Sequence, residues 1–332
     1  MRLMKFEDLQ KIVPDLKLIT GSNSTSEISC ICDLDFPVLN GLLFIKNKKY
    51  LDRVLDSELP IIGILLSEKL ESEASSLKKF EPLFIAKASN IELAVSHLSK
   101  PFYDLKYSSI LQAPAKVAAS AKVHDGAFVG KNVSIGENSV LYPGAVVMDN
   151  SVIGSNCVLY PNTSIYPFVE IGDDVRIHSG SVIGADGFGY NHDSGVHHKV
   201  WHMGGVKIGN HVEVGANSQI DGGTFSPTII GEGSKLDNNV QIGHNCHLGR
   251  GVMICGHVAI GGSSHLDDFT VFGGKSGMGD NMKLGKGCQV AGGALVNTDW
   301  PDGTVLGGHP ARPLKEWMRG IAFVRKESLK KK

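Results

Sequence analysis

The chain has 332 residues, 42% of them hydrophobic and 20% charged, and a formal net charge of −1. This balance allows a sizeable core, and the near-zero charge excludes binding to nucleic acid through a broadly basic surface. The N-terminus lacks an apolar signal region and no run of 18 apolar residues occurs, so we expect a cytoplasmic protein without a transmembrane segment. Six cysteines without a CxxC pair give no indication of a zinc ribbon or a redox pair.

Residues 1–106 predict a small α/β domain. Apolar runs indicate strands near 28–32, 42–46, 61–66 and 82–86, and the periodicity indicates helices at 5–13, 48–58 and 90–98. The polar segment 65–80 is predicted to be a connector within this domain.

A six-residue repeat fills most of the region 107–297. Starting at Val117, an apolar residue recurs every six positions through Ile183, again from Ile208 to Ile220, and again from Ile230 to Val296, giving 27 hexads. A period of six is neither helical nor that of a simple strand, and it predicts short strands and corners stacked into a parallel β-helix.

Two further positions of the repeat have a regular character. A small or β-branched residue stands two positions before each apolar residue, so Cys157, Cys246 and Cys288 are predicted to be small buried side chains. Glycine often follows the apolar residue, which fits either a corner with positive φ or close stacking of neighbouring backbones.

The repeat is interrupted twice and ends before a basic tail. Residues 185–207 form a predicted loop-like insertion, and the step from Ile220 to Ile230 is four residues too long. Such breaks are where solenoids usually carry binding features. Residues 298–332 are predicted to be a loop followed by a helix from about Pro313.

The hexads resemble those of the hexapeptide-repeat transferases, whose left-handed parallel β-helix has three hexads per coil. The resemblance implies a mainly β fold of about nine coils, flanked by the α/β domain and the C-terminal helical extension. Proteins with such prisms usually form homotrimers with active sites between subunits.

Four segments narrow this resemblance. They are GLLFIKNKKY (41–50), IGADGFGY (183–190), IDGG (220–223) and LDNNVQIGHN (236–245). In this order and spacing they resemble the UDP-3-O-(3-hydroxyacyl)glucosamine N-acyltransferases of lipid A biosynthesis. That family implies transfer of a 3-hydroxyacyl group from the phosphopantetheine of acyl carrier protein to the 2-amine of UDP-3-O-acyl-glucosamine, without a tightly bound cofactor.

The resemblance assigns His244 as the general base and the backbone N–H of Gly262 as the oxyanion donor. A neutral imidazole is suited to accept a proton near pH 7. The two residues are 18 positions apart, so three hexads per coil places them at one corner on adjacent rungs. His247 precedes the inward-facing Leu248, and we expect it on a flat outer face as a surface or subunit-contact residue.

The segment 41–50 resembles the family's uridine-binding segment. Phe44 and Tyr50 are candidates for stacking on uracil, and Asn47 is a candidate for hydrogen bonding to its edge. Phe44 has an equally simple interpretation as a core residue on an alternating strand.

Further candidates for substrate binding come from the other segments. Asn238, next to Asp237, either binds substrate or is a structural amide that caps the backbone or joins a side-chain ladder. Asp186, Phe188 and Tyr190 are candidates for lining the path of the sugar or the acyl chain.

The chain departs from the family at two positions. Gly222 stands where the family usually has arginine, and Asn281 replaces a second histidine that the family often has. Asparagine can form hydrogen bonds to substrate but is not an acid or base near pH 7, so the chemistry is assigned to His244 alone.

The basic C-terminal tail has two interpretations. It is either a solvated end or a docking site for acyl carrier protein. The candidate docking residues are Arg312, Lys315, Arg319 and Arg325.

Three other functions remain open from the sequence. An acetyl-CoA-dependent nucleotide-sugar N-acetyltransferase would need no long acyl groove, and Met278, Met282 and Leu295 weakly favour a long chain instead. A non-enzymatic scaffold would not need the four motifs. A zinc site as in hexapeptide-fold carbonic anhydrases would need three fixed ligands, and no third histidine is stacked on a neighbouring rung. Its candidate ligands are the histidines of the insertion, namely His192, His197, His198 and His202. We therefore predict no metal site.

Overall fold

A computed structural model describes residues 3–21, 27–60, 62–108, 112–308 and 311–330. Apolar side chains form two cores on either side of the N-terminal sheet and a third, elongated core along the axis of the repeats. The α/β domain and the repeat region therefore each have a core of their own, and Val200 and Met203 of the insertion pack into the core of the α/β domain.

The N-terminal domain contains a five-stranded sheet. Its edge strand Lys17–Gly21 is antiparallel to the neighbouring strand Phe84–Ala88, and all other neighbours in the sheet are parallel. A short pair, Met4–Lys5 with Glu27–Ile28, lies beside it. The sheet order is Lys17–Gly21, Phe84–Ala88, Gly63–Ser67, Gly41–Ile45 and Cys30–Cys32. The helices are α1 (Phe6–Ile12), α2 (Lys48–Leu55) and α3 (Ile91–Ser108).

Two predictions in this domain need correction. The connector is a 3-10 helix, Glu68–Phe80, in which Leu70, Ala74 and Leu77 face the core. Helix α3 extends ten residues beyond its predicted end and contains Pro101, because Phe102 beyond the proline is buried in the core and holds the last turns. Ile61, at the start of one predicted strand, lies outside the described residues.

The repeat region is a parallel β-helix with three faces, and register pairs residues 18 apart wherever no break intervenes. Face I contains Lys116–Val117, Ser134–Ile135, Val152–Ile153, Val169–Ile171, Val206–Ile208, Thr228–Ile230, His247–Leu248, His265–Leu266 and Lys283–Leu284. Face II contains Lys122–Val123, Val140–Leu141, Val158–Leu159, Arg176–Ile177, Glu213–Val214, Lys235–Leu236, Met253–Ile254, Val271–Phe272, Gln289–Val290 and Val305–Leu306. Face III contains Phe128–Val129, Val146–Val147, Ser164–Ile165, Val182–Asp186, Gln219–Gly222, Gln241–Ile242, Ala259–Ile260, Gly277–Met278 and Leu295–Val296.

The second residue of each hexad strand points inward and is nearly always buried, so stacked rungs share one continuous core. The small slot is buried as well, and Cys157, Cys246 and Cys288 are fully inaccessible, which confirms their predicted role. Face II continues to Val305–Leu306, beyond the predicted boundary at residue 297. This strand was not predicted because it lies 16 residues, and not 18, after its partner Gln289–Val290, at the end of a shortened corner.

Glycine and asparagine have different conformational roles at the corners of the β-helix. Apart from Gly184, the glycines that directly follow the apolar residue do not take positive φ; at Gly154, for example, an added Cβ would lie 2.4 Å from the Gly172 carbonyl oxygen. Close stacking, one of the two alternatives, is therefore its role. Positive φ falls two residues later, mostly on asparagine, which tolerates the left-handed region best among residues with side chains.

The first break is a β-hairpin, so the prediction of a loop-like insertion is wrong. Strands Tyr190–Asp193 and Val196–Lys199 pair antiparallel and lie against α3. The Asn191 side-chain amide donates to the Glu92 carbonyl at 2.7 Å, and the Trp201 N–H donates to the Ser99 hydroxyl at 3.0 Å. The hairpin thereby fastens the N-terminal domain to the β-helix.

After face II the chain forms helix α4 (Leu314–Ser328), which begins next to Pro313 as predicted. None of its residues is buried. Its apolar side chains are therefore left without cover in a single chain, and they include Leu314, Trp317, Met318, Ile321 and Val324.

Candidate active site

His244 lies at the corner between face III and face I, directly after the strand Gln241–Ile242. Its ring nitrogen Nδ1 is 3.0 Å from Oδ1 of Asn245. That oxygen also accepts hydrogen bonds from the Thr224 N–H and hydroxyl, each at 2.9 Å, so the atom is an acceptor. His244 must therefore donate through Nδ1, which leaves Nε2 as the unprotonated, basic nitrogen of the neutral ring.

The second break of the repeat holds Asn245 in place. The Asn245 side chain donates to the carbonyl and hydroxyl oxygens of Ser226 at 3.1 Å, and its N–H donates to the Thr228 hydroxyl at 2.9 Å. Asn245 has φ 58°, so the corner that follows His244 is left-handed. The four extra residues after Ile220 thus build the support that orients the imidazole.

Gly262 lies one rung from His244 at the same corner, as the spacing predicts. The Ser263 N–H donates to the His244 carbonyl at 2.7 Å. A Cβ added at Gly262 would lie 2.8 Å from Nε2 of His244, so the basic nitrogen faces this backbone. Among the described residues, none accepts a hydrogen bond from the Gly262 N–H. A basic nitrogen and a free donor therefore face the same space.

His202 is a second imidazole beside that of His244, a contact that no sequence motif indicates. The two ring centroids are 5.2 Å apart and the rings meet edge to face. His202 is 3% exposed, its Nδ1 is 3.0 Å from the Val200 carbonyl, and its Nε2 has no partner among the described residues. It packs under Gly189 of the IGADGFGY segment, where a Cβ would lie 2.7 Å from its ring.

The stability of the protein should depend on pH through His202. Burial, and secondarily the charge of His244, lower its pKa to about 4, whereas an imidazole in an unfolded chain titrates near 6.5. Between these values the unfolded chain binds more protons, so stability is complete above pH 6.5 and is lost as pH falls toward 4. We expect wild type to lose up to about 3 kcal/mol more than His202→Gln across this range. Urea unfolding at pH 7.5 and 4.5 measures the difference, and equal losses in both proteins would contradict it.

Two cavities meet at His244. The first, about 720 Å³, lies between the N-terminal domain and face I, and the second, about 670 Å³, lies along face III. Phe188 and Tyr190 line both cavities with His244, while Gly262 lines the second. A substrate in either cavity can therefore reach the basic nitrogen.

The three candidates of the uridine segment all line the first cavity. Asn47 caps α2, since its Oδ1 accepts from the Tyr50 N–H at 2.9 Å, and only its side-chain NH₂ remains free to bind a ligand. The Tyr50 hydroxyl accepts from the Leu34 N–H at 3.0 Å. Phe44 is 6% exposed and its ring stacks on Phe225 at 6.2 Å, so the core interpretation accounts for most of its surface.

The insertion residues contribute an ion pair and two exposed rings. Asp186 is 2.6 Å from Nζ of Lys199, and both line the second cavity. Phe188 is 87% exposed and lies 5.2 Å from the Tyr190 ring. Burial raises the pKa of the Asp221 carboxyl, which lines this cavity as well.

Asn238 is not brought to His244 within one chain. It lies at the corner between face II and face III, and its Oδ1 accepts from the Ala216 N–H at 2.6 Å, which is a structural capping contact to the backbone. His257 lies at the same corner one rung later and lines neither cavity. Asn281, in contrast, lines the first cavity, and its N–H donates to the Gly262 carbonyl at 2.9 Å.

Two other positions are clarified by the structure. His247 is exposed on face I, as predicted, and it also lines the first cavity. At Gly222 an added Cβ would lie 3.0 Å from the Gly184 carbonyl oxygen. Gly222 pairs with Asp186 just after a shift of register between Ile183 and Asp186.

The histidines of the insertion are dispersed. His192 and His197 pair across the hairpin, His198 contacts His97, and His202 contacts His244. Within the described ranges, no three His, Cys, Asp or Glu side chains come together in a way that could hold a metal ion. In the same ranges, every helix is too short or too polar to span a bilayer.

The repeats and this corner define a hexapeptide-repeat transferase. The model for bacterial transferase hexapeptides (six repeats) matches residues 150–185 and 227–262, and the model for the hexapeptide repeat of succinyl-transferase matches 127–161 and 205–243. These matches agree with the left-handed parallel β-helix expected from the sequence.

Relatives identify the family more narrowly. The chain is 39% identical over 303 residues to the UDP-3-O-acylglucosamine N-acyltransferase of Helicobacter hepaticus, covering 90% of each chain. It is 37% identical to that of Helicobacter pylori, covering 96% of this chain and 93% of the other. The match to the Methylobacterium nodulans enzyme is 46% identical but spans only 47% of this chain and 44% of that protein. The chain belongs to the UDP-3-O-acylglucosamine N-acyltransferase family.

Proposed function

We propose that this chain transfers a 3-hydroxyacyl group from the phosphopantetheine thioester of acyl carrier protein to the 2-amine of UDP-3-O-acyl-glucosamine. The observation that carries the proposal is the pairing at one corner of a basic imidazole nitrogen, Nε2 of His244, with the free N–H of Gly262. These are the two groups that acyl transfer to an amine requires.

The proposed reaction needs one base and one oxyanion donor. The sugar amine attacks the thioester carbonyl carbon, and Nε2 of His244 takes the proton that the amine loses. The oxyanion of the tetrahedral intermediate accepts a hydrogen bond from the Gly262 N–H. When the C–S bond breaks, the imidazolium returns its proton to the leaving thiolate. Asn245 keeps the ring in the tautomer that both steps require.

The two cavities suggest separate subsites. In the first cavity, Asn47 and Tyr50 present an amide and an aromatic ring to a uracil base, and Phe225 with Phe44 provides a further apolar wall. In the second cavity, the exposed ring of Phe188 is suited to contact an acyl chain.

Three apolar side chains favour a long acyl chain from the sequence, and their positions differ. Met278 is largely buried but still lines the second cavity. Met282 packs against the core and lines neither cavity, whereas Leu295 is 76% exposed on face III. Support for a long acyl chain therefore rests on Phe188, Met278 and Leu295.

We also propose that the protein is a homotrimer that acts in the cytoplasm. The uncovered apolar side chains of α4 favour association with other copies. In such an assembly the corner bearing Asp237 and Asn238 can approach the site of a neighbouring chain, which is the condition for their predicted role. The exposed basic side chains on and before α4 are proposed to dock acyl carrier protein, namely Arg312, Lys315, Arg319 and Arg325.

Transfer assays with purified protein test the proposed function. We expect UDP-3-O-acyl-glucosamine and 3-hydroxyacyl carrier proteins of several chain lengths to yield a product whose new amide is located by mass spectrometry. Acetyl-CoA is the competing donor in parallel reactions. Turnover with acetyl-CoA alone would replace the proposal by an N-acetyltransferase, and no turnover with either donor would refute both. Light scattering on the same preparation tests the trimer.

A further inference from the structure

The ring of His244 is held by one hydrogen bond and by two close glycine backbones. Its Nδ1 is 3.0 Å from Oδ1 of Asn245. An added Cβ would lie 2.6 Å from the His244 Cβ at Gly187 and 2.8 Å from Nε2 at Gly262. A hydrogen bond weakens steeply only beyond about 60° of misalignment, so the contact with Asn245 fixes one atom of the ring but not the tilt of its plane.

His202 presents a second ring to His244, edge to face and with a centroid distance of 5.2 Å. This second ring is itself fixed, because it is 3% exposed and its Nδ1 donates to the Val200 carbonyl at 3.0 Å. The next residue is anchored as well, since the Met203 N–H donates to the Thr224 carbonyl at 2.7 Å. A fixed ring in close contact limits how far the His244 plane can rotate.

Thr224 connects the His202 segment to the support of Asn245. Its carbonyl accepts from the Met203 N–H, while its own N–H and hydroxyl each donate to Oδ1 of Asn245 at 2.9 Å. The two interruptions of the repeat therefore meet at Thr224. The side chains that touch the His244 ring at Nδ1 and edge to face belong to one hydrogen-bonded unit.

We propose that His202 is a positioning residue that holds the imidazole plane of His244 toward the Gly262 N–H. This inference rests on the proposed function, because it concerns the group that the proposed reaction uses as its base. Proton transfer requires the lone pair of Nε2 to point at the sugar amine, and a displacement of about 1 Å can cost about a hundredfold in rate. His202 acts through His244 and need not touch the substrate.

The positioning ring is uncharged at neutral pH. Burial, and then the charge of His244, lower the pKa of His202 to about 4; Asp186 and the Val200 carbonyl oppose this shift, and Lys199 adds to it. A neutral neighbour does not repel the positive charge that His244 acquires when it accepts a proton. Nε2 of His202 has no hydrogen-bond partner among the described residues, so a phenyl ring at this position would give up only the bond to Val200.

Two substitutions separate the ring of His202 from its hydrogen bond. His202→Phe keeps a ring against His244 but has no donor for the Val200 carbonyl, whereas His202→Asn keeps a short amide donor and has no ring. With UDP-3-O-acyl-glucosamine and a 3-hydroxyacyl carrier protein, we expect kcat of His202→Phe to stay within about threefold of wild type. We expect His202→Asn to lose about ten- to a hundredfold in kcat, with KM for the nucleotide sugar changed less than about twofold.

A double variant tests whether His202 acts through His244. Adding His202→Asn to His244→Ala should not lower the residual rate further, because there is no longer a base to position. His197→Ala is the matched control, since His197 is an exposed histidine of the same hairpin and lines neither cavity. It should keep the wild-type kcat. Thermal unfolding of every variant shows that the proteins compared are folded.

Three results would overturn the positioning role while the proposed function stands. They are a wild-type kcat in His202→Asn, a loss in His202→Phe as large as that in His202→Asn, and a further loss of rate in the double variant. If His202→Asn does not fold, the rate of His202→Phe decides between a ring contact and a role of the histidine nitrogens. If wild type transfers no acyl group to the nucleotide sugar, the proposed function and the positioning role are refuted together.

Discussion

Replacement of His244 by alanine is expected to lower kcat for acyl transfer by about two to four orders of magnitude, with a much smaller change in KM for the nucleotide sugar. The reason is that Nε2 is the one basic atom that faces the Gly262 N–H, and its tautomer is fixed by Asn245. Its loss removes proton transfer in the transition state but leaves most of the walls of both cavities in place. Steady-state rates at several substrate concentrations measure this separation.

The control for this variant is His211→Asn, which should keep the wild-type rate. His211 lies at the corner between face I and face II, lines neither cavity and has a φ of 60° that asparagine tolerates. A second readout is the pH profile: the fall in kcat/KM on the acidic side reports protonation of the base, so it should be absent from the residual activity of His244→Ala. A near-normal kcat in the alanine variant, or an unchanged acidic limb, would show that another group accepts the proton.

The regular part of this fold could be predicted because each hexad repeats one physical solution. The apolar residue must face the axis, the small residue must fit beneath the next rung, and identical spacing then fixes which residues share a corner. This is why the stacking of His244 on Gly262 followed from their separation of 18 positions. The same rule did not predict the strand Val305–Leu306, because a shortened corner before this strand breaks the six-residue period.

The support of the site could not be predicted, because it comes from the two segments that interrupt the period. Thr224 reaches Asn245 only after the extra residues beyond Ile220 fold back over the corner. His202 reaches His244 only after the hairpin has paired and packed on α3. Side-chain types and spacing carry no information about such contacts, because the contacts depend on the three-dimensional path of the irregular backbone segments.

His247 shows how a correct local prediction can leave the surroundings of a side chain undetermined. The alternation around Leu248 correctly placed it on an outer face. What the sequence did not indicate is that the N-terminal domain covers that face, so the outer surface of the solenoid becomes the wall of a cavity. Predicting an orientation is a local problem, whereas predicting what lies opposite requires the relative placement of two domains.

Gly262→Ala is expected to lower kcat by about two to three orders of magnitude while leaving the fold intact. The added Cβ would lie 2.8 Å from Nε2 of His244, closer than such atoms approach in proteins, so the imidazole must move away from the amine that it deprotonates. The same methyl group would obstruct access of an oxyanion to the N–H of residue 262. Both the proton transfer and the oxyanion contact are therefore disturbed by one carbon atom.

Gly274→Ala provides the matched control. Gly274 follows another glycine two hexads later, at the corner between face II and face III, and its added Cβ would meet only the Gly256 carbonyl oxygen, at an ordinary 3.5 Å. Thermal unfolding should be similar for the two variants, and transfer rates should differ by at least about a hundredfold. If both variants kept the wild-type rate, the space between Nε2 of His244 and the Gly262 backbone could not be where the tetrahedral intermediate forms. If both lost activity together with stability, the effect would belong to the packing of the rungs instead of to the reaction.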